Sequence, residues 1–174
     1  MKILITGSNG HIGSYLIKYL YKKYKNLNLY LIDNFSTQRY SSIFNLPKNC
    51  KIKFIEGDVK EYKFDNVISK IDVVIHLAAI TNAEASFNKS SQVENNNFKC
   101  TKNIANYCIK HNKKLIFISS TSVYGTQKNL VDEFCGISEL QPQSPYAKTK
   151  LKEEDWLVKF SKKNLKLIIF RFGT

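Results

Sequence analysis

"KILITGSNGHIGSYLIKYL", residues 2–20, joins a short apolar run to three glycines and then to an amphipathic pattern. Residues 2–6 read as a buried strand and residues 11–25 as a helix, with the glycine turn between them. Glycine at position 7 permits a tight turn with unusual dihedrals. At position 10 it lets backbone N–H groups approach a pyrophosphate, and at position 13 it lets helix and strand pack closely. The helix N-terminus adds donors and partial positive charge. A strand–turn–helix of this kind predicts a parallel sheet that binds a dinucleotide.

The rest of the chain repeats the strand signal. "LYLID" (29–33), "IKFIEG" (52–57), "DVVIHLA" (72–78), "KLIFISS" (114–120) and "LKLIIFRF" (165–172) are short and nearly continuous in apolar residues. Such runs fit strands covered on both faces. Helical stretches separate several of them: 11–25, roughly 83–112 with a break near 90, and 145–163. The expected fold is therefore α/β, a Rossmann-type doubly wound parallel sheet of about six strands with helices on both faces. Asp33 closes the second strand twenty residues beyond Gly13. A carboxylate there accepts hydrogen bonds from an adenosine ribose and repels a 2′-phosphate, which favours NAD over NADP. Asp58, in "EGDV", follows the third strand and is placed to reach the adenine.

Composition narrows the partners. At 174 residues the chain is one domain, and 43% hydrophobic with 24% charged residues is ordinary for a globular protein. The net charge of +13 comes from lysines scattered among many asparagines, which reads as compositional bias. Basic and aromatic residues are not interleaved as in nucleic-acid binders, so no nucleic-acid partner is expected. A basic surface still attracts phosphorylated small molecules. Cys50, Cys100, Cys108 and Cys135 have no C-x-x-C or metal-ligand spacing, so no metal site is expected and the thiols read as reduced. No apolar stretch has the length of a membrane span or a signal peptide, so the expectation is a cytoplasmic protein with no membrane partner.

Several segments, in order, carry a family resemblance. "TGSNGHIG" has the spacing G-x-x-G-x-x-G; "LIDNFST" (31–37), "GDV" (57–59), "HLAA" (76–79), "NFKCTKN" (97–103), "SSTSVYG" (119–125) and "SPYAKTK" (144–150) follow. The chain resembles the extended short-chain dehydrogenase/reductase family, the NAD-dependent nucleotide-sugar epimerases and dehydratases. Cys100 departs from the pattern, standing where the family usually has glycine. The resemblance implies cofactor contacts at Gly7, Asn9, Gly10, His11, Ile12 and Gly13 of the turn, and at Asp33 and Asn34. It adds Asp58 and Val59, then Leu77, Ala78 and Ala79, and finally Asn97, Tyr146 and Lys150.

It also implies catalytic roles for Ser120, Tyr146 and Lys150. Lys150 lies one helical turn beyond Tyr146, and a positive charge there, with that of an oxidised nicotinamide, favours the phenolate. Tyr146 is then the general base on a sugar hydroxyl that Ser120 orients, while Lys150 holds the nicotinamide ribose. Ser119 is the weaker alternative to Ser120. Family dehydratases carry an Asp-Glu pair where this chain has Thr121 and Ser122, so dehydration is disfavoured; what remains is transient oxidation and hydride return, typical of epimerases like UDP-glucose 4-epimerase and suited also to decarboxylases or reductases. Thr81, Glu84 and Ser86 are candidate substrate contacts. His76 reads as a satisfied core histidine, Tyr124 as packing, and Trp156 as core or interface. The family's dimer helices match 91–112 and 145–163, so a homodimer is expected besides a nucleotide-sugar substrate. Residues 1–174 read as the NAD-binding domain, with the C-terminal substrate-binding part absent. The rival reading is a truncated or degenerate NAD-binding module without turnover.

Overall fold

The computed structural model describes residues 1–44, 46, 51–84, 86–127, 130–162 and 164–173; Cys50 lies outside them. Six strands form one parallel sheet: β1 (Lys2–Thr6), β2 (Asn28–Asp33), β3 (Lys51–Glu56), β4 (Val73–His76), β5 (Lys114–Ser120) and β6 (Lys166–Phe172). Their order is β3-β2-β1-β4-β5-β6. All five pairings are parallel, with Ile5 opposite both Leu31 and Ile75. Among the described residues four α-helices accompany them: α1 (His11–Lys23), α2 (Asp65–Ile68), α3 (Ser90–Lys110) and α4 (Pro145–Ser161).

Strand alternation divides the core in two. Ile3, Ile5, Leu29 and Leu31 face one side and pack with Ile17 and Leu20 of α1. Leu4, Ile32, Val74, Leu115 and Phe117 face the other side, against Ile68, Ile104 and Leu157 of α2, α3 and α4. The doubly wound expectation holds, and chain order reverses direction between β1 and β4. In such sheets a crevice opens beyond the carboxyl ends of the strands at the point of reversal.

Three local expectations change. Helix α3 begins only at Ser90; the described residues among 83–89 are not helical, with Ser86 N–H donating to Asn82 O and the Ser86 hydroxyl to Ala83 O. The single turn α2 was not anticipated, because four residues are too few to show a helical period. The run at 52–57 is only half-buried, Ile52 and Phe54 packing against one core cluster and Ile55 against the other, and the run at 165–172 is open on one face. In β6 burial alternates strictly, leaving Ile168 50%, Phe170 48% and Phe172 40% exposed.

Candidate active site

The glycine turn is held by its neighbours. Gly7 and Ser8 N–H groups both donate to Ile32 O, at 2.9 and 3.3 Å. Gly7 adopts φ +65°, and a Cβ there would lie 2.7 Å from Ala78 N. A Cβ on Gly13 would lie 2.5 Å from Ser8 O, so the third glycine is needed for α1 to sit on its own turn. Gly10 precedes α1 without a side-chain cap, which leaves the first-turn amides to an external acceptor. Asp33 is buried at 9% exposure, and each of its oxygens accepts one backbone N–H, from Asn9 (2.9 Å) and Phe35 (2.9 Å). Asp33 also lines a cavity.

That cavity measures about 570 Å³. Its wall includes Gly7, Gly10, His11, Ile12 and Gly13 of the turn, with Asp33, Asn34, Asp58 and Val59 beyond. Leu77, Ala78 and Ala79 line it as well, and so do Ser120, Tyr146 and Lys150. Expected residues from six separate segments thus meet at one crevice. An uncapped helix start, a glycine cradle and a carboxylate fit a dinucleotide pyrophosphate and ribose.

Two expected residues stand behind the wall. Asn9 is 2% exposed, and its Nδ2 has no hydrogen-bond partner among the described residues. Asn97, fully buried, pairs with Ile80 as a neighbouring strand would: Oδ1 accepts from Ile80 N (2.8 Å) and Nδ2 donates to Ile80 O (2.9 Å). It therefore fixes the loop after β4. Ser86 is also fully buried, and its hydroxyl accepts from Tyr146 N at 3.3 Å, docking that loop on the start of α4. Thr81 lines the cavity; Ser86 and Glu84 do not.

Further wall residues were not among the expected contacts, although Ser36 and Thr37 lie in the segment 31–37. Ser36, Thr37 and Arg39 border the Asp33 end, and the Arg39 guanidinium donates to His11 Nε2. At the rim, burial alone would raise the Asp58 carboxyl. Hydrogen bonds from Lys60 and Asn34, with the Lys60 charge, hold it below its ordinary value.

The expected chemistry lies with Ser120, Tyr146 and Lys150. Ser144 caps α4 by accepting from Ala147 N (3.1 Å), and Pro145 follows at the first helical position, so Tyr146 enters on a fixed helix start. Ser120 Oγ accepts from Ser122 N–H (3.1 Å) and from the Ser122 hydroxyl (2.8 Å), which leaves its own proton free to donate. Ser119 also lines the cavity, 2% exposed, with its hydroxyl unpartnered among the described residues. Lys150 is 4% exposed, with Nζ 4.5 Å from the Phe117 ring centroid. The expected lowering of Tyr146 by Lys150 is not what this state shows. Burial, and then the negative charge of Glu153, push the phenol up to about 12. Lys150 Nζ instead lies 3.2 Å from Glu153 Oε2, so its charge is already countered.

His76 is a satisfied core histidine, as expected: 2% exposed, with Nδ1 2.6 Å from Thr6 Oγ1 and Nε2 3.2 Å from Thr101 Oγ1. Burial, then the Lys150 charge, lower it to about 3. Tyr124 packs under Arg171, whose guanidinium donates to its hydroxyl (2.9 Å) and pairs with Glu154 (2.7 Å). Cys100 and Cys108 are buried free thiols, each raised to about 12 chiefly by burial. Among the described residues no cluster could hold a metal, and no helix is long and apolar enough to cross a membrane.

A family model for the NAD dependent epimerase/dehydratase family matches residues 3–174. The chain belongs to that family. It is 35% identical to a dTDP-D-glucose 4,6-dehydratase of Dictyostelium discoideum, covering 95% of this chain and 41% of that protein. It is 32% identical to a UDP-glucose 4-epimerase of Pisum sativum, covering 86% of this chain and 45% of that protein. Among solved structures it superposes on a tyrosine-to-phenylalanine variant of a UDP-glucuronic acid 4-epimerase from Bacillus cereus. That structure holds NAD and UDP-4-deoxy-4-fluoro-glucuronic acid. The TM-score is 0.89 at 33% identity, over 98% of this chain and 56% of that one. The chain thus spans about half the length of these family members, and the cofactor of the family is NAD.

Proposed function

We propose that this chain is the cofactor-binding part of an NAD-dependent nucleotide-sugar 4-epimerase. The observation that carries the reading is the convergence of Ser120, Tyr146 and Lys150 on the cavity that also holds the glycine turn and Asp33. NAD, when bound, supplies a reversible hydride acceptor. Tyr146 takes the proton of the sugar hydroxyl and later returns it; Ser120 donates to that oxygen and fixes its orientation. Lys150 holds the nicotinamide ribose and adds positive charge beside the phenol. Dehydratases are among the relatives, but Thr121 and Ser122 offer hydroxyls where water elimination needs an acid and a base. Ser122 is moreover engaged with Ser120.

The test is to supply NAD with UDP-glucose or UDP-glucuronic acid, on this chain and on one extended beyond residue 174, and to follow sugar protons by NMR. C4 epimers should interconvert in the extended chain. A 4-keto-6-deoxy product would replace epimerase by dehydratase, and NAD binding without any turnover would favour the module reading.

The same proposal includes self-association. On α3 and α4, Trp156 stacks on Phe160 (4.2 Å) and meets Phe98 edge-on (6.0 Å), a half-buried aromatic group on the outer face. Sedimentation velocity at high concentration is expected to show a dimer that Trp156→Glu disperses. A wild-type monomer throughout would refute it.

A further inference from the structure

Glu153 has no place in the reading above, yet it is the most deeply buried carboxylate near the reacting groups, at 1% exposure. An ionised carboxylate buried this far is expensive unless it is paired and hydrogen-bonded. Its two oxygens are used differently. Oε2 lies 3.2 Å from Lys150 Nζ, an ion pair without hydrogen-bond alignment. Oε1 accepts the hydroxyl proton of Thr101.

That single bond fixes the direction of every bond behind it. A threonine hydroxyl has one proton, and Thr101 gives it to Glu153. Thr101 Oγ1 is therefore an acceptor toward His76, and His76 Nε2 carries the proton at 3.2 Å. In a neutral imidazole Nδ1 is then an acceptor, so the Thr6 hydroxyl donates to it at 2.6 Å. Thr6 Oγ1 in turn accepts from Leu77 and Ala78 N–H groups, both at 3.2 Å. The four side chains of Thr6, His76, Thr101 and Glu153 lie on β1, β4, α3 and α4, and the row runs from the Leu77 and Ala78 N–H groups to the partner of Lys150. The titratable groups facing Glu153 are Lys150 and Tyr146 on α4, Cys100 on α3 and, through Thr101, His76 on β4.

We infer that Glu153 is a positioning residue for the Tyr146–Lys150 pair. It neutralises the Lys150 ammonium inside the protein and ties it through Thr101, His76 and Thr6 to the loop at Leu77 and Ala78. The charge that Lys150 presents to Tyr146 is then what remains after Glu153. Lys150 also cannot swing away without leaving the buried Glu153 carboxylate unpaired. The inference rests on Tyr146 as the base, but it concerns proton positions and so fails separately from that reading.

Two measurements test it. The nitrogen-15 shifts of His76 in the unliganded wild-type protein should report a neutral ring protonated on Nε2. A ring protonated on Nδ1 overturns the inference, whatever any variant does. In NAD-loaded protein labelled at tyrosine Cζ, with Tyr146→Phe for assignment, Glu153→Gln should lower the Tyr146 midpoint by about one pH unit, a tenfold loss of proton affinity. Glutamine keeps an oxygen for Thr101, so His76 should stay protonated on Nε2; an unchanged Tyr146 midpoint in a folded Glu153→Gln overturns the inference. Activity of Tyr146→Phe decides the base independently.

Discussion

Replacing Tyr146 by phenylalanine is expected to cut turnover about a thousand-fold while changing NAD affinity only a few-fold. A positioned general base commonly contributes two to four orders of magnitude, and phenylalanine preserves the ring. The backbone N–H of residue 146 still reaches Ser86 Oγ, so the start of α4 stays docked. The phenol needs assistance, because burial and Glu153 push it up to about 12. At neutral pH almost none of it would then be phenolate. The site becomes competent only when further positive charge faces the phenol, so turnover should rise with pH on the limb that Tyr146 controls and lose that limb in the variant. Single-turnover reduction of bound NAD checks this directly. Near-wild-type turnover in Tyr146→Phe would move the base elsewhere.

Acid should destabilise the fold through His76. The unfolded imidazole titrates near 6.5, whereas the buried one is lowered to about 3. A depressed folded value means stability that is full above pH 6.5 and is lost as pH falls toward 3, because only the unfolded chain takes up the proton. The whole span is of order 5 kcal/mol, large beside the total stability of a small domain. Urea unfolding of wild type between pH 6 and pH 4 should therefore lose about 1.4 kcal/mol per unit more than His76→Gln. The carboxylates are common to both proteins, so the difference isolates the histidine. Parallel slopes would refute the assignment.

The fold was legible because its strongest signals are local. Each buried strand is one nearly unbroken apolar run, and the glycine spacing at 7, 10 and 13 makes a turn that no Cβ at Gly7 or Gly13 would allow. What escaped was set by partners distant in sequence. Nothing near Asn97 shows that its amide pairs with Ile80 rather than facing a ligand. Residues 83–89 carry a helical pattern, but the Ser86 hydroxyl is buried in turns that dock on α4. Of the site, most of the expected cavity residues were readable from motif and order, but Asn9 and Asn97 stand behind the wall and Arg39 lines it unexpected. Glu153 was not readable: as one of two adjacent glutamates on an apparently solvated helix, it has no local mark of burial beside Lys150.

The row from Thr6 to Glu153 also constrains how this sequence can change. Each hydroxyl has one proton to give, and each member's orientation is dictated by the next. Replacing one member reverses or orphans its neighbours, so the cost exceeds that of the lost bond. Paired replacements that restore donor and acceptor parity should be far better tolerated than the sum of their singles, since residues in one network do not act additively. Variation here is therefore epistatic: substitutions at Thr6, His76, Thr101 and Glu153 are accessible in some orders and closed in others. Exposed positions such as Tyr15, 73% accessible on α1, carry no such history dependence.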